Sequence, residues 1–199
     1  MTAYLWQCVL EILLLACLIS FAWAMRAFFV QPAGTTKGMR LTGTCGTISA
    51  VLHLVAIPMT KTIPMNRAVI AGVLYIAALA LFWGAISANR KMPLSAIFSP
   101  DLPVHIVVHG PYRYIRHPLY TSYLTVWLAG WIATFAWWLL PTIAVMAAVY
   151  IRASSAEEAK FSQSGMADSY AGYRARTGRF LPAPWKSFAA QRSGKSLSE

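Results

Sequence analysis

From Leu119 to Ile151 the chain runs 33 residues without a charge. A helix crosses the hydrocarbon core of a bilayer with about 20 apolar residues, so this run is too long for one span. Pro141 lies about two thirds of the way along, and Trp131, Trp137 and Trp138 fall where aromatic anchors mark an interface. A tight hairpin of two membrane helices, turning around 135 to 141, accounts for the run better than one tilted helix. Three earlier apolar runs extend the pattern: 4 to 25, 41 to 59 and 68 to 88. The second is the most polar, with Gly43, Gly46, His53 and several Thr and Ser, which suits a helix packed against protein. Ala22-Trp23-Ala24 resembles a signal-peptidase site, but no Lys or Arg precedes Arg26, so a retained helix is expected.

The resulting expectation is an all-α integral membrane protein of about five transmembrane helices with a cytoplasmic C-terminal helix and tail. The whole of 1–199 forms a single membrane domain. Residues 1–88 supply three helices, 89–190 a loop, the hairpin and an amphipathic helix over roughly 155 to 177, and 191–199 a frayed end. With only 12% charged residues and 58% hydrophobic ones, composition excludes both a disordered chain and an ordinary soluble domain. Cys8, Cys17 and Cys45 are odd in number and sit in or beside apolar runs, so they read as packing residues rather than a disulfide framework.

The formal charge of +11 would suggest a nucleic-acid partner in a soluble protein. On a five-span topology, fifteen of the seventeen Lys and Arg fall on one side, and only Lys61 and Arg67 on the other. The positive-inside bias then puts the N-terminus outside and the 89–117 segment and the tail together in the cytoplasm. The expected partners are the bilayer and a lipophilic molecule, not nucleic acid, and the tail cluster Arg174, Arg176 and Arg179 reads as a contact with anionic lipid.

Chemistry-bearing residues concentrate just before the fourth span, in His109-Gly-Pro-Tyr-Arg-Tyr-Ile-Arg-His-Pro-Leu-Tyr120. Gly110-Pro111 makes a turn, and Pro118 steers His117 out of helical geometry while opening the next helix. Arg116, His117 and Tyr120 therefore collect at a helix N-terminus, which favours an anion. A plain basic and aromatic membrane collar has the same composition. His105 and His109 have metal-compatible spacing, but no acid or Cys completes a set, so no metal site is expected. Glu11 and His53 lie inside spans, where an ionisable group is a functional candidate, and a packing or helix-contact role is favoured for Glu11. Gly34 to Gly46 lacks the Gly-Lys-Ser/Thr of a phosphate loop.

The motif from Gly110 to Tyr120, followed by an apolar hairpin, Glu157-Glu158, Tyr170-x-x-Tyr173 and Pro182, resembles the isoprenylcysteine carboxyl methyltransferase family and its bacterial relatives over roughly 104 to 182. The resemblance implies an integral membrane methyltransferase of the bacterial inner membrane. It implies use of S-adenosylmethionine and a lipophilic acceptor, such as an isoprenylcysteine carboxylate. Carried over by position, the cofactor site falls on Val104, His105, Ile106, Val107, Tyr112, His117, Pro118, Leu119, Tyr120 and Glu157. Arg116 suits the cofactor carboxylate, and Glu157 or Glu158 its ammonium or ribose. The family's acceptor-side Arg, four residues before the Glu, is here Ala153, so Arg152 is the candidate for that role. An acceptor other than a carboxylate would need a base, for which His117 or His109 is available. A membrane reductase using NADPH and a non-catalytic lipid-binding protein are the competing classes.

Overall fold

In the computed structural model, the described residues are 2–30, 36–90, 94–95 and 105–183. They form six α-helices: α1 (Thr2–Ala27), α2 (Lys37–Met59), α3 (Met65–Ala88), α4 (Pro118–Thr134), α5 (Leu140–Ser162) and α6 (Ala167–Arg176). Short 3-10 turns precede α4 and α5 at Gly110–Arg113 and Trp137–Leu139. The only strands among the described residues are two-residue pieces, β1 (Phe29–Val30) and β2 (Leu94–Ser95), paired in parallel, so the all-α expectation holds.

Among the described residues, four helical segments are long and apolar enough to cross a membrane: Tyr4–Ala27, Lys37–Met59, Met65–Ala88 and Trp137–Ser162. The fourth of the five expected spans falls on α4, which is not among these four segments and whose 17 residues reach about 26 Å. It packs most extensively on α3 and is buried along Ser122, Val126, Ala129, Gly130 and Ala133. The reason lies in α3, where Ala68, Ala71, Ala78 and Ala85 form a small-residue face that lets α4 approach closely. The opposite face of α3 exposes Val69, Ile70, Val73 and Ile76, which only a lipid surroundings makes favourable.

α2 joins this core through His53. His53 is fully buried, with Nδ1 2.8 Å from the Ser49 carbonyl and Nε2 3.0 Å from the Trp127 carbonyl of α4. Gly130 makes that approach possible, because a Cβ there would collide with the His53 ring and press on the Tyr75 hydroxyl. Glu11 of α1 leaves Oε2 buried without a hydrogen-bond partner. The three cysteines are free.

The connections sort to two ends. Pairing of β1 with β2 holds the α1–α2 connection beside the one after α3. At the other end the Arg67 guanidinium lies 5.0 Å from the Phe135 ring, bringing the start of α3 to the α4–α5 turn. Phe135 ends α4 in the left-handed region at φ 52°, and Trp137–Leu139 leads into α5, placing the hairpin turn within the expected 135 to 141.

Two boundaries differ from expectation. α2 begins at Lys37 rather than near 41, because Thr36 caps it, its hydroxyl accepting from the Met39 amide at 3.2 Å. The amphipathic helix expected over 155 to 177 does not exist as one piece. α5 continues unbroken from the hairpin to Ser162, and α6 is a separate ten-residue helix. The sequence Ala153-Ser-Ser-Ala-Glu-Glu-Ala-Lys160 holds no Gly or Pro to stop α5, and Gly165 follows only after its end. Val104 and residues 191–199 lie outside the described residues.

Candidate active site

The end of the bundle that carries the connection after α3 and the C-terminal region gathers most of the residues singled out from sequence. Gly110, at φ +59°, lies where a Cβ would come within 3.3 Å of Ala88 at the end of α3. The turn it opens carries Tyr112. Pro118, fully buried, then starts α4, leaving His117 at its N-cap with φ −124° and ψ 62°. His117 faces the last turns of α5 from there.

Glu157 and Glu158 sit one turn beyond the buried Ala153 and Ser154 on α5, so both are directed toward α4. His117 lies between them, Nδ1 3.4 Å from Glu157 Oε2 and Nε2 3.1 Å from Glu158 Oε1. Tyr120, one turn into α4, donates its hydroxyl to Glu157 Oε1. Its ring stacks on Tyr150 of α5 at 5.2 Å, and Tyr123 adjoins both. Burial alone would lower the His117 pKa, but the hydrogen bonds to Glu157 and Glu158 and their charges outweigh it and raise the value above the histidine norm. Only the doubly protonated ring can donate to both carboxylates, so the geometry and the direction of the shift agree.

The two glutamates have different tasks. Glu158 is 10% exposed at its side chain and receives Arg116 Nε at 3.0 Å. The rest of the Arg116 fork donates to the carbonyls of Arg174 and Thr177. Arg116 and Glu158 therefore tie α5 to the segment after α6. Glu157, 35% exposed, has no arginine partner among the described residues and is the more accessible carboxylate.

A feature that sequence did not indicate completes the site. Residues 178–180 run beside 115–117 as a short parallel bridge. The Arg116 amide donates to the Gly178 carbonyl at 2.8 Å, His117 to Arg179 at 3.1 Å, and Gly178 to Tyr114 at 3.2 Å. The Thr121 hydroxyl donates to the Phe180 carbonyl at 2.8 Å, and the Tyr173 hydroxyl to that of Tyr112 at 2.7 Å. Gly178 is required because a Cβ would collide with the Leu181 carbonyl. A signal was available in Thr177-Gly178, which stops α6, but its partner strand was not. Burial raises the hydroxyl pKa of half-buried Tyr112, and that of Tyr173 to about 12.

Other expected residues lie apart from this cluster. Leu119 packs inward on Ala24, Phe82 and Ile86. His105, Ile106 and Val107 form the irregular lead into the turn, and His109 is exposed. Arg152 is exposed on α5, while Ala153 beside it is buried on the site's face. No group of three or more metal-ligating residues occurs among the described residues.

Apolar helices ending in a tyrosine-flanked cluster of His, Arg and Glu define a membrane protein with a polar site at one end of its bundle. Residues 66–164 match the family described as phospholipid methyltransferase. The chain belongs to this family, in keeping with its resemblance to the isoprenylcysteine carboxyl methyltransferases, and it is a membrane methyltransferase. Methyltransferases of this family generally use S-adenosylmethionine. No curated protein matches the chain. The family match spans α3 to α5, including Tyr112, His117, Tyr120 and both glutamates, but ends before α6 and the 178–180 bridge.

Proposed function

We propose that this protein transfers the methyl group of S-adenosylmethionine to a lipophilic acceptor at the cytoplasmic face of a bacterial inner membrane. Five spans, with α4 as the fourth, would leave the N-terminus outside. The observation that carries the reading is Glu157, a partly accessible carboxylate held between the Tyr120 hydroxyl and His117 inside the family-matched region.

The residues fit the cofactor's chemistry. Glu157 offers an acceptor to an ammonium or to ribose hydroxyls, and the Tyr112 ring offers a face to a cationic sulfur, whereas the Tyr120 ring is stacked between His117 and Tyr150. Arg116 is committed to Glu158 and two carbonyls. Its contribution on this reading is to fix Glu158 and the 178–180 segment rather than to clamp a carboxylate. When bound, S-adenosylmethionine supplies an electrophilic methyl group for in-line displacement. The protein's share is alignment and exclusion of water, which requires no general base when the acceptor is a carboxylate. For an acceptor that must lose a proton, a doubly protonated His117 is a poor base, and Glu157 is better placed to receive it. Arg152, exposed on α5, would have to reorient to position an acceptor carboxylate; an isoprenylcysteine is the acceptor the resemblance favours.

Thermal-shift measurements in detergent test this. S-adenosylmethionine and S-adenosylhomocysteine should stabilise the protein, and NADPH should not. Glu157→Ala and His117→Ala should each weaken S-adenosylmethionine binding at least about tenfold, a loss of about 1.4 kcal/mol. Stabilisation by NADPH alone, or unchanged affinity in both variants, would sink the proposal. Methyl transfer from labelled cofactor to prenylcysteine, thiol and phospholipid amine acceptors identifies the substrate.

A further inference from the structure

A cavity of about 610 Å³ opens between α5 and α6, with Glu158 in its wall. The last turns of α5 contribute Ser155, Ala159 and Ser162 to it, and α6 contributes the Ala171 side of the groove together with Tyr170 and Arg174. Of the residues of the proposed cofactor site, Tyr112, His117, Tyr120 and Glu157 do not line it, and Glu158 forms the wall between the two.

Its electrostatics are lopsided. His117 balances Glu157, and Arg116 already balances Glu158 at 3.0 Å. Arg174 and Arg179 approach the same carboxylate only to 3.7 and 3.8 Å, beyond hydrogen-bond length. Two guanidinium charges therefore face the cavity in surplus. Arg179 Nε is buried without a hydrogen-bond partner, although another nitrogen of the same group donates to the Ser155 hydroxyl and the Ile151 carbonyl at 3.2 Å. A pair of guanidinium forks suits the several oxygens of a phosphate.

Depth indicates where such a phosphate comes from. α5 starts at Leu140, at the hairpin end, so Ser155 lies about 22 Å and Ser162 about 33 Å along the helix. These bracket the far edge of a hydrocarbon core about 30 Å thick. With Leu140 at the opposite edge of the core, as the five-span reading has it, the cavity would lie near the lipid phosphates of the leaflet that the site faces.

We propose that the α5–α6 cavity is a second binding site, distinct from the site of methyl transfer, for a net-anionic phosphate-bearing ligand, with Arg174 and Arg179 holding the phosphate and a phospholipid headgroup as its source. The ligand here is a bound effector and not the methyl acceptor, because the cavity does not open onto Glu157.

The test uses the full chain, purified and delipidated in detergent. It is titrated with short-chain phosphatidylglycerol, with phosphatidylcholine of the same chain length, and with inorganic phosphate, while Tm is followed. Phosphatidylglycerol should raise Tm and phosphatidylcholine should not. Arg174→Gln, which removes an exposed guanidinium, and Ala171→Leu, which fills the groove without changing charge, should each weaken the response about tenfold. An Arg174-dependent shift with inorganic phosphate would support the site and assign the phosphate to a free anion. Equal responses to the two lipids, a phosphatidylglycerol response unchanged in both variants, or displacement of that lipid by S-adenosylmethionine would overturn the proposal.

Discussion

At the scale of single residues, His117 carries the sharpest consequence. Its ring stands between Glu157 and Glu158, and its pKa is raised in the folded protein. A histidine bound more tightly in its protonated form stabilises the fold fully below its unfolded value of about 6.5. That contribution is lost as pH rises through the raised folded value. The Tm of the ligand-free protein should therefore fall as pH increases from 6 through that range, and His117→Gln should flatten the slope. A wild-type slope of the opposite sign would show that the ring is held neutral. The motif around His117 was legible in the sequence because Pro118 dictates local geometry. The division of labour between the two glutamates was not, since it depends on Arg116, 42 residues away from Glu158 in the chain.

At the scale of elements, two features organise the site: the continuation of α5 past the hairpin and the docking of 178–180 against 115–117. The first was misread because a change from apolar to Ala, Ser and Glu composition looks like a boundary, whereas helix propensity does not change there. The second rests on backbone hydrogen bonds between distant segments, which no periodicity in either segment records. Gly178→Ala tests its importance. The added methyl has no room beside the Leu181 carbonyl, so the segment must shift at a cost of about 1–3 kcal/mol. The expected outcome is a lower Tm together with weaker S-adenosylmethionine binding, because the His117 amide loses its partner on Arg179. A variant with wild-type affinity would show that the bridge does not hold the site.

At the scale of the whole molecule, the distribution of charge and the packing of helices make one prediction about orientation. Connections rich in Lys and Arg share the end that holds the site, while Lys61 and Arg67 mark the hairpin end. Reporter fusions should place the C-terminus in the cytoplasm and the N-terminus outside; both termini on one side would exclude five spans. The sequence by itself determined an apolar helical protein suited to a membrane, its hairpin turn, and the motif from Gly110 to Tyr120, because hydrophobic run length and proline geometry are local properties. Only the tertiary structure decided that Arg116 serves Glu158, that Gly130 admits His53 and Tyr75, and that a cationic cavity opens between α5 and α6. Those outcomes depend on which helix faces meet, and that is set by the fit of side chains far apart in the chain.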